Sequence, residues 1–318
     1  MKWISIVMKN LIIALLTNQF FKNIALNKNI KKIVFKYIAA EDLQNTINIV
    51  KELIGKNFLV TVSFLGEHFN NKEKIEQYLN EIFNLINIIN ENELSKNVSI
   101  SLKLSSLGLL FDFDYTLNNL SKILELASNI RIHIDMEDSK LIDDTFKVFE
   151  ILRYGEGYSN LDITLQAYLY RTDRDLNEKI LAKQDRNNLI IRLCKGAYKE
   201  SYDKIFPNKK SIDENYIKLA MKLIDNIDKV YPAFATHDIN IIKKIQNYAH
   251  LKGIDYDKFE FQMLYGVLPK LQDKIISEKY SLRLYLPYGI NWYDYIVRRI
   301  AEKPSNIFYI IPSLFNKS

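Results

Sequence analysis

The 318-residue sequence contains little cysteine, glycine or proline. Its single cysteine, Cys194, excludes an intramolecular disulfide framework and suits a reducing compartment. With only 9 glycines and 6 prolines, the chain has little material for flexible linkers, so we expect mostly regular structure with short connections. A composition of 48% hydrophobic and 26% charged residues is that of a globular protein and excludes wholesale disorder.

Long hydrophobic runs are also missing. A helix that crosses a bilayer needs roughly 20 apolar residues. The most apolar segment, at the N-terminus, is interrupted by Lys9 and Asn10 and lacks a small-residue cleavage site. We therefore expect a leading amphipathic helix packed on the domain rather than a signal peptide.

The positive charge of the chain is small and dispersed. The formal net charge is +6, and the lysines are scattered among asparagine and isoleucine instead of forming a basic arm. This distribution is typical of a solvated surface. It disfavours nucleic acid as a partner. Contact of these lysines with an anionic membrane is a weaker alternative to a purely solvated surface.

Eight short β-rich runs alternate with segments of helical periodicity after a helical lead-in. The runs cover residues 58–64, 98–104, 130–136, 162–169, 189–194, 231–236, 259–264 and 282–287. Eight strands, each followed by a helix, predict a closed parallel (β/α)8 TIM-type barrel over 56–318, with the lead-in helices over 1–55. An open doubly wound sheet would be expected to carry Gly-x-Gly-x-x-Gly, which is absent. Asp213 and Asp238 are predicted to cap two of the helices.

Polar residues recur at the C-terminal ends of the predicted strands, where barrel enzymes place their reactive groups. Within 130–136 the polar residues Arg131, His133 and Asp135 alternate with isoleucines, so Asp135 is expected to point into the barrel near its mouth. The other residues at strand ends are Glu67, Lys103, Gln166, Arg192, Lys195, Thr236, His237, Gln262, Arg283 and Tyr285.

Several of these charges are expected to meet at one mouth. Lys103, Asp135 and Arg192 would converge there with the adjacent Arg298 and Arg299 of the last predicted helix. Taken singly, each could be half of an ion pair, and the arginine pair could be a solvated helix face. Together they would need an anionic ligand for balance, and a guanidinium suits a carboxylate or a phosphate. The charge pattern therefore predicts an anionic small molecule.

Other common catalytic groups are not indicated. The four histidines have neither His-x-His nor helical i,i+4 spacing, so no metal site is predicted. Gly-x-Ser-x-Gly and a Walker phosphate loop are absent, and Cys194 is expected to be an inert buried thiol.

Short motifs follow the predicted strands in chain order. They are Leu65-Gly-Glu67, Lys103-Leu-Ser105, Ile134-Asp-Met-Glu137, Leu165-Gln-Ala-Tyr168, Ile191-Arg-Leu-Cys-Lys-Gly-Ala-Tyr198, Phe234-Ala-Thr-His237, Phe259-Glu-Phe-Gln-Met-Leu264 and Leu284-Tyr-Leu-Pro-Tyr-Gly289, followed by Arg298-Arg-Ile-Ala-Glu302 in the final helix. With this ordered set the chain resembles the proline dehydrogenase family, over about residues 58 to 311.

The resemblance implies a distorted barrel that holds FAD noncovalently at the strand ends. It implies oxidation of L-proline to Δ1-pyrroline-5-carboxylate by hydride transfer to flavin N5, the first step of proline catabolism to glutamate, with the electrons passed on to a quinone. The expected location is the cytoplasm, and the quinone would allow a peripheral contact with the inner face of the membrane. Because the chain is too short for a fused second enzyme, a separate pyrroline-5-carboxylate dehydrogenase is expected downstream.

The resemblance also implies roles for individual substrate-site residues. Arg298 and Arg299, helped by Lys103, would grip the proline carboxylate. Leu264 and Tyr285 would pack on the proline ring, and a tyrosine at this position goes with proline rather than hydroxyproline. Glu67 would pair with Arg298 to close the site.

The resemblance implies further roles beside the substrate and around the flavin. Asp135 would organise the carboxylate clamp, and Arg192 would lie near flavin N5 and stabilise negative charge on the reduced ring. The implied FAD contacts are Met136, Gln166, Lys195, Gly196, Ala197, Thr236 and His237.

Two alternatives to this function stay open at the level of sequence. A Schiff-base aldolase would use Lys103 or Lys195 as its nucleophile, but it leaves the arginine pair without a role. A non-catalytic barrel that serves as a binding scaffold is the second alternative.

Overall fold

A computed structural model describes residues 31, 34–183, 188–293 and 295–297 of the chain. Its strands are β1 Leu59–Phe64, β2 Val98–Leu102, β3 Arg131–Ile134, β4 Leu161–Gln166, β5 Leu189–Cys194, β6 Val230–Ala235, β7 Glu260–Leu264 and β8 Ser281–Tyr288. The α-helices are α1 Leu43–Gly55, α2 Lys72–Glu91, α3 Leu104–Leu107, α4 Phe113–Leu126, α5 Ile142–Glu150, α6 Thr172–Asp175, α7 Lys209–Ile224, α8 Ile239–Leu251 and α9 Pro269–Ser277. Two π-helical segments, Ile151–Gly155 and Leu176–Leu181, extend α5 and α6.

The eight strands form a closed, all-parallel barrel in sequence order. Val60 of β1 is paired with Val98 of β2 on one side and with Leu284 of β8 on the other, which closes the sheet. The predicted (β/α)8 barrel is therefore confirmed. The run predicted at 162–169 is longer than β4, because Ala167 and Tyr168 continue backbone hydrogen bonding to Cys194 and Lys195 beyond the last strand residue.

Strand alternation separates an apolar outer layer from a polar interior. Outward residues such as Ile132 and Ile134 are fully buried against the helices. Inward residues of neighbouring strands bond to one another, as Thr61 and Ser99 do at 2.8 Å. Because TIM-barrel interiors are usually filled by branched apolar side chains, a polar interior indicates a role beyond packing.

The N-terminal ends of the helices agree only in part with the predicted caps. The Asp238 side chain accepts a hydrogen bond from the Asn240 backbone at the start of α8, as predicted. The prediction for Asp213 is wrong, since α7 begins earlier and Asn208 caps it by accepting from the Ser211 amide. Asp213 lies within the first turns of the helix, where its carboxylate binds lysines instead.

The residues before β1 pack against the wall of the barrel. Helix α1 buries Ile47 and Val50 in the main hydrophobic core. A smaller cluster joins Ile38 to Trp292, whose indole nitrogen donates to Glu41 at 2.7 Å. The predicted domain boundary at residues 55–56 stays a prediction, and residues 1–30 lie outside the described part. Within the described ranges, no helix has both the length and the apolar character needed to cross a bilayer.

Candidate active site

The Asp135 carboxylate is the centre of a hydrogen-bond network at the C-terminal end of the barrel. Its Oδ1 accepts from Arg192 Nη1 at 2.6 Å and from Ser101 Oγ at 2.8 Å, while its Oδ2 accepts from the Tyr285 hydroxyl at 2.7 Å. Lys103 Nζ lies 4.0 Å from the same Oδ2. The structure therefore brings together four of the residues that the sequence pointed to, from the ends of four different strands.

Electrostatics keep Asp135 and Lys103 charged. Burial alone would raise the pKa of Asp135, but the adjacent Arg192 and Lys103 charges and the Tyr285 hydrogen bond hold it below its usual range. Burial would lower the pKa of Lys103, yet the charges of the Asp135 and Glu67 carboxylates raise it above the ordinary value. A Schiff-base lysine needs the opposite shift, so this environment argues against the aldolase alternative at Lys103.

Arg192 is held on two of its edges and has one unused donor. Its Nε donates to Gln262 Oε1 at 2.7 Å, its Nη1 binds Asp135, and its guanidinium carbon lies 5.3 Å from the centre of the Tyr285 ring. Its Nη2 is buried and has no hydrogen-bond partner among the described residues. Since a buried unpaired donor is costly, this atom suits a ligand that offers an acceptor.

Gln166 offers a complementary unused acceptor. Its Nε2 donates to the Met136 carbonyl at 3.0 Å, whereas its Oε1 is buried without a hydrogen-bond partner in the described part of the chain. Gln166 and Arg192 stand on adjacent strands β4 and β5. The neighbouring strands β4 and β5 therefore present an unused acceptor on Gln166 and an unused donor on Arg192.

The segment after β5 packs on Tyr168. Gly196 has a φ of +103°, and a Cβ at this position would lie 2.1 Å from Tyr168 Cδ1. The Tyr168 amide donates to the Lys195 carbonyl at 2.8 Å. Only glycine satisfies both the backbone angle and this contact, whereas the neighbouring Ala197 is exposed.

Two predicted cofactor residues, Thr236 and His237, directly follow β6 and accept hydrogen bonds from backbone amides. Thr236 Oγ1 accepts from the Asp238 amide at 3.1 Å. His237 Nε2 accepts from the backbone amide of Leu264 at 2.9 Å, which joins the end of β6 to the end of β7. The contact places Leu264 beside this rim of the barrel.

Of the two residues predicted to pair and close the site, only Glu67 lies within the described residues. The Glu67 carboxylate lies 3.7 Å from Lys103 Nζ, next to the Asp135 network. Its predicted partner Arg298, together with Arg299, lies outside the described residues. The carboxylate clamp therefore stays a prediction.

Sequence reasoning missed several polar residues of the site. Ser101 bridges Asp135 and Arg192, Ser63 lies 2.9 Å from the Tyr285 hydroxyl, and Glu137 accepts from both the amide and the hydroxyl of Ser105. Ser63 and Ser101 occupy alternate positions on β1 and β2, so the period-two pattern used for 130–136 could have identified them.

Lys195 and Lys209 share the carboxylates of Asp213 and Asp238. Lys195 Nζ lies 3.1 Å from Asp238 Oδ2, and Lys209 Nζ lies at the same distance from that atom. Burial opposes ionisation, but the two lysines lower the pKa of Asp238 from 3.8 to about 2. Lys195, which directly follows β5, is therefore engaged in ion pairs.

Replacing Asp238 with asparagine is expected to remove this charge and keep the helix cap, because asparagine caps as well as aspartate. The folded pKa is lowered, so the stabilisation is complete above about pH 4 and is lost as the pH falls towards 2. In urea unfolding, the free energy of unfolding of the variant should lie about 1–2 kcal/mol below that of the wild type at pH 7. This difference should fall by about half at pH 3. The exposed Asp228→Asn serves as control, and a deficit independent of pH would contradict the assignment.

Comparison with known proteins finds relatives that match most of the chain. The family model described as "Proline dehydrogenase" matches residues 46–307. Proline dehydrogenase 2 of Bacillus subtilis (strain 168) is 39% identical over 300 residues, which cover 94% of this chain and 95% of the relative. The proline dehydrogenase of Deinococcus radiodurans is 34% identical over 284 residues, covering 88% and 89% of the two chains.

Solved structures share the fold. Proline utilization A from Bdellovibrio bacteriovorus, inactivated by N-propargylglycine, matches with a TM-score of 0.80 at 24% identity, over 92% of this chain and 35% of that one. A mutant of the Bradyrhizobium japonicum protein matches with a TM-score of 0.71 at 20% identity, over 85% and 31%. The chain thus spans about a third of the length of these structures, and at this identity they show the barrel alone.

Proposed function

This chain belongs to the proline dehydrogenase family, and on that premise we propose that it oxidises L-proline to Δ1-pyrroline-5-carboxylate with bound FAD. The family makes it an oxidoreductase of proline catabolism. The observation that carries the proposal is the network in which Asp135 holds Arg192, Lys103 and Tyr285 at one barrel mouth.

On the substrate side, the residues bind and orient an amino acid. Lys103, kept cationic by its carboxylate neighbours, attracts the proline carboxylate, and Arg298 and Arg299 complete the clamp. Tyr285 and Leu264 bracket the ring. Because the Tyr285 hydroxyl is already bonded to Asp135, the orientation of its ring is set before the substrate arrives.

The residues at the strand ends fit a flavin. The unused donor of Arg192 and the unused acceptor of Gln166 match a ring system that carries acceptors and an N–H group on its edges. The residues that would hold FAD are Met136, Gln166, Lys195, Gly196, Ala197, Thr236 and His237. When bound there, FAD would supply the redox chemistry, namely acceptance of a hydride from C5 of proline at flavin N5 and transfer of the electrons to a quinone.

Asp135 and Arg192 act through charge and position. Asp135 anchors Arg192 and Lys103 and keeps both cations from repelling each other across the mouth. Arg192 keeps its positive charge beside the cofactor site and there favours a reduced, more negative ring.

The wider setting of the reaction is also part of the proposal. We expect a cytoplasmic enzyme with a peripheral contact to the inner face of the membrane, where a quinone is available as electron acceptor. We expect the product, Δ1-pyrroline-5-carboxylate, to be consumed by a separate pyrroline-5-carboxylate dehydrogenase.

The test of this function is proline-dependent dye reduction by the purified protein, together with Arg299→Lys. An ammonium cannot replace a two-pronged guanidinium contact, so we expect KM for proline to rise about tenfold with a smaller change in kcat. Arg174→Lys, at an exposed position on α6, should leave both constants unchanged.

Three outcomes would count against the proposal. An unchanged KM in Arg299→Lys would mean that the clamp is misassigned. A lysine adduct trapped by borohydride with a ketone would favour the aldolase. A protein that neither contains nor takes up FAD, and leaves proline untouched, would favour the scaffold.

A further inference from the structure

Gln262 connects the Arg192 guanidinium to an ion pair buried inside the barrel. Gln262 Oε1 accepts from Arg192 Nε at 2.7 Å, and Gln262 Nε2 donates to Glu260 Oε1 at 2.6 Å. Glu260 in turn accepts from Arg283 Nε at 2.7 Å and from Arg283 Nη2 at 3.1 Å. Gln262 and Glu260 are 3% and 1% exposed, so the chain of hydrogen bonds runs without solvent.

The far end of this chain is fixed to the opposite wall of the barrel. Arg283 Nη1 lies 3.3 Å from Ser99 Oγ and 3.2 Å from the Val60 carbonyl. The contacts therefore extend from β5 through β7 and β8 to β1 and β2. We propose that Gln262, anchored by Glu260, is a positioning residue that sets the orientation of the Arg192 guanidinium.

A glutamine is the residue type that this position requires. Its amide accepts at one end and donates at the other, so it satisfies a cation and a carboxylate simultaneously. A glutamate would face Glu260 with like charge at hydrogen-bond distance. A methionine of similar size would leave Arg192 Nε unpaired in a buried place and would remove one of the hydrogen bonds to Glu260.

Orientation matters because the guanidinium is planar. Arg192 is fixed through Nη1 by Asp135 and through Nε by Gln262, and two fixed edges leave Nη2 with one defined direction. Without Gln262 the hydrogen bonds of the guanidinium to Asp135 and Ser101 would both be made by Nη1, and the group would turn about that one nitrogen. The consequence for the reaction rests on the proposed function, in which Arg192 serves the flavin.

The test compares the wild-type protein with Gln262→Met in two measurements. Hydrogen exchange of the Arg192 Nε–H, followed by NMR without cofactor, should be slow in the wild type and at least tenfold faster in the variant. The equilibrium constant for two-electron reduction of bound FAD should fall about tenfold, which corresponds to a potential ~30 mV more negative.

A second variant and a control make the result decisive. Gln262→Glu retains an acceptor for Arg192, so the Arg192 Nε–H should stay slow to exchange, although the carboxyl group facing Glu260 should lower the stability of this variant. Asn119→Leu removes a buried amide that donates to the Leu107 carbonyl at 3.0 Å, and it should change neither measurement. Wild-type values for both measurements in Gln262→Met would overturn the proposal.

Failure of the proposed function would give a different result. If the wild-type protein neither took up FAD nor oxidised proline, the proposed reaction would be wrong. The exchange rate of the Arg192 Nε–H would still decide whether Gln262 positions the guanidinium.

Discussion

Replacing Arg192 with lysine is expected to lower kcat for proline oxidation by two to three orders of magnitude, roughly the cost of removing one charge-stabilising donor from an active site. Lysine keeps the positive charge, but its three donors sit on one nitrogen and cannot span Gln262, Asp135 and a third acceptor as the planar guanidinium does. Because this donor is proposed to face the flavin rather than proline, KM should change less than kcat. Steady-state dye reduction on FAD-loaded protein measures both constants.

The matched control for Arg192→Lys is Arg131→Lys at the other end of the barrel. Arg131 begins β3 and binds the buried Asp162, so its replacement also weakens a barrel ion pair. We expect a lower melting temperature and an unchanged kcat from this control. Equal losses of kcat in the two variants would show that barrel stability, not a position beside the cofactor, explains the effect.

Asp135→Asn should have the second large effect, on stability as well as activity. The change leaves Arg192 and Lys103 near each other without their common counter-charge. Breaking a buried ion pair by removing one partner costs about 3–5 kcal/mol, and displacement of the two cations should lower kcat/KM by about 100-fold or more. Urea unfolding and steady-state kinetics measure the two losses.

The pH dependence gives an independent check on Asp135. Its pKa is lower in the folded protein than its ordinary 3.8, so its ionised form contributes stability that is complete above that value and is lost as the pH falls through the folded pKa. The stability gap between wild type and Asp135→Asn should thus be constant around neutrality and close in acid. Asp162→Asn, at the N-terminal end of β4, should lower stability without changing KM for proline.

The polar barrel interior explains why these effects are expected to be large. Buried charges contribute little net stability when paired, but the loss of one partner is costly because the other remains desolvated. Here one carboxylate serves two cations and a phenol, and Arg192 is tied to a second ion pair through Gln262. The arrangement favours a defined site over maximal stability.

The barrel itself was predictable because its signals are local. Period-two runs separated by helical periodicity appear within single segments, and parallel strands with helical crossovers can then close in few ways. Strand β5 has the predicted bounds, and each end of the other strands lies within three residues of the predicted end. The convergence of Lys103, Asp135 and Arg192 followed from the rule that strand ends share one face of a barrel.

The partners across the barrel were not predictable in the same way. Nothing in the local sequence of Gln262 indicates that it meets Arg192, and Asp213 looked like a cap although Asn208 starts the helix. By itself the sequence determined the strands, the barrel and the set of polar residues at its mouth. Only the tertiary structure decided which of them touch, because contacts across a closed sheet depend on the stagger of all eight strands, and that stagger is settled by packing of the whole domain.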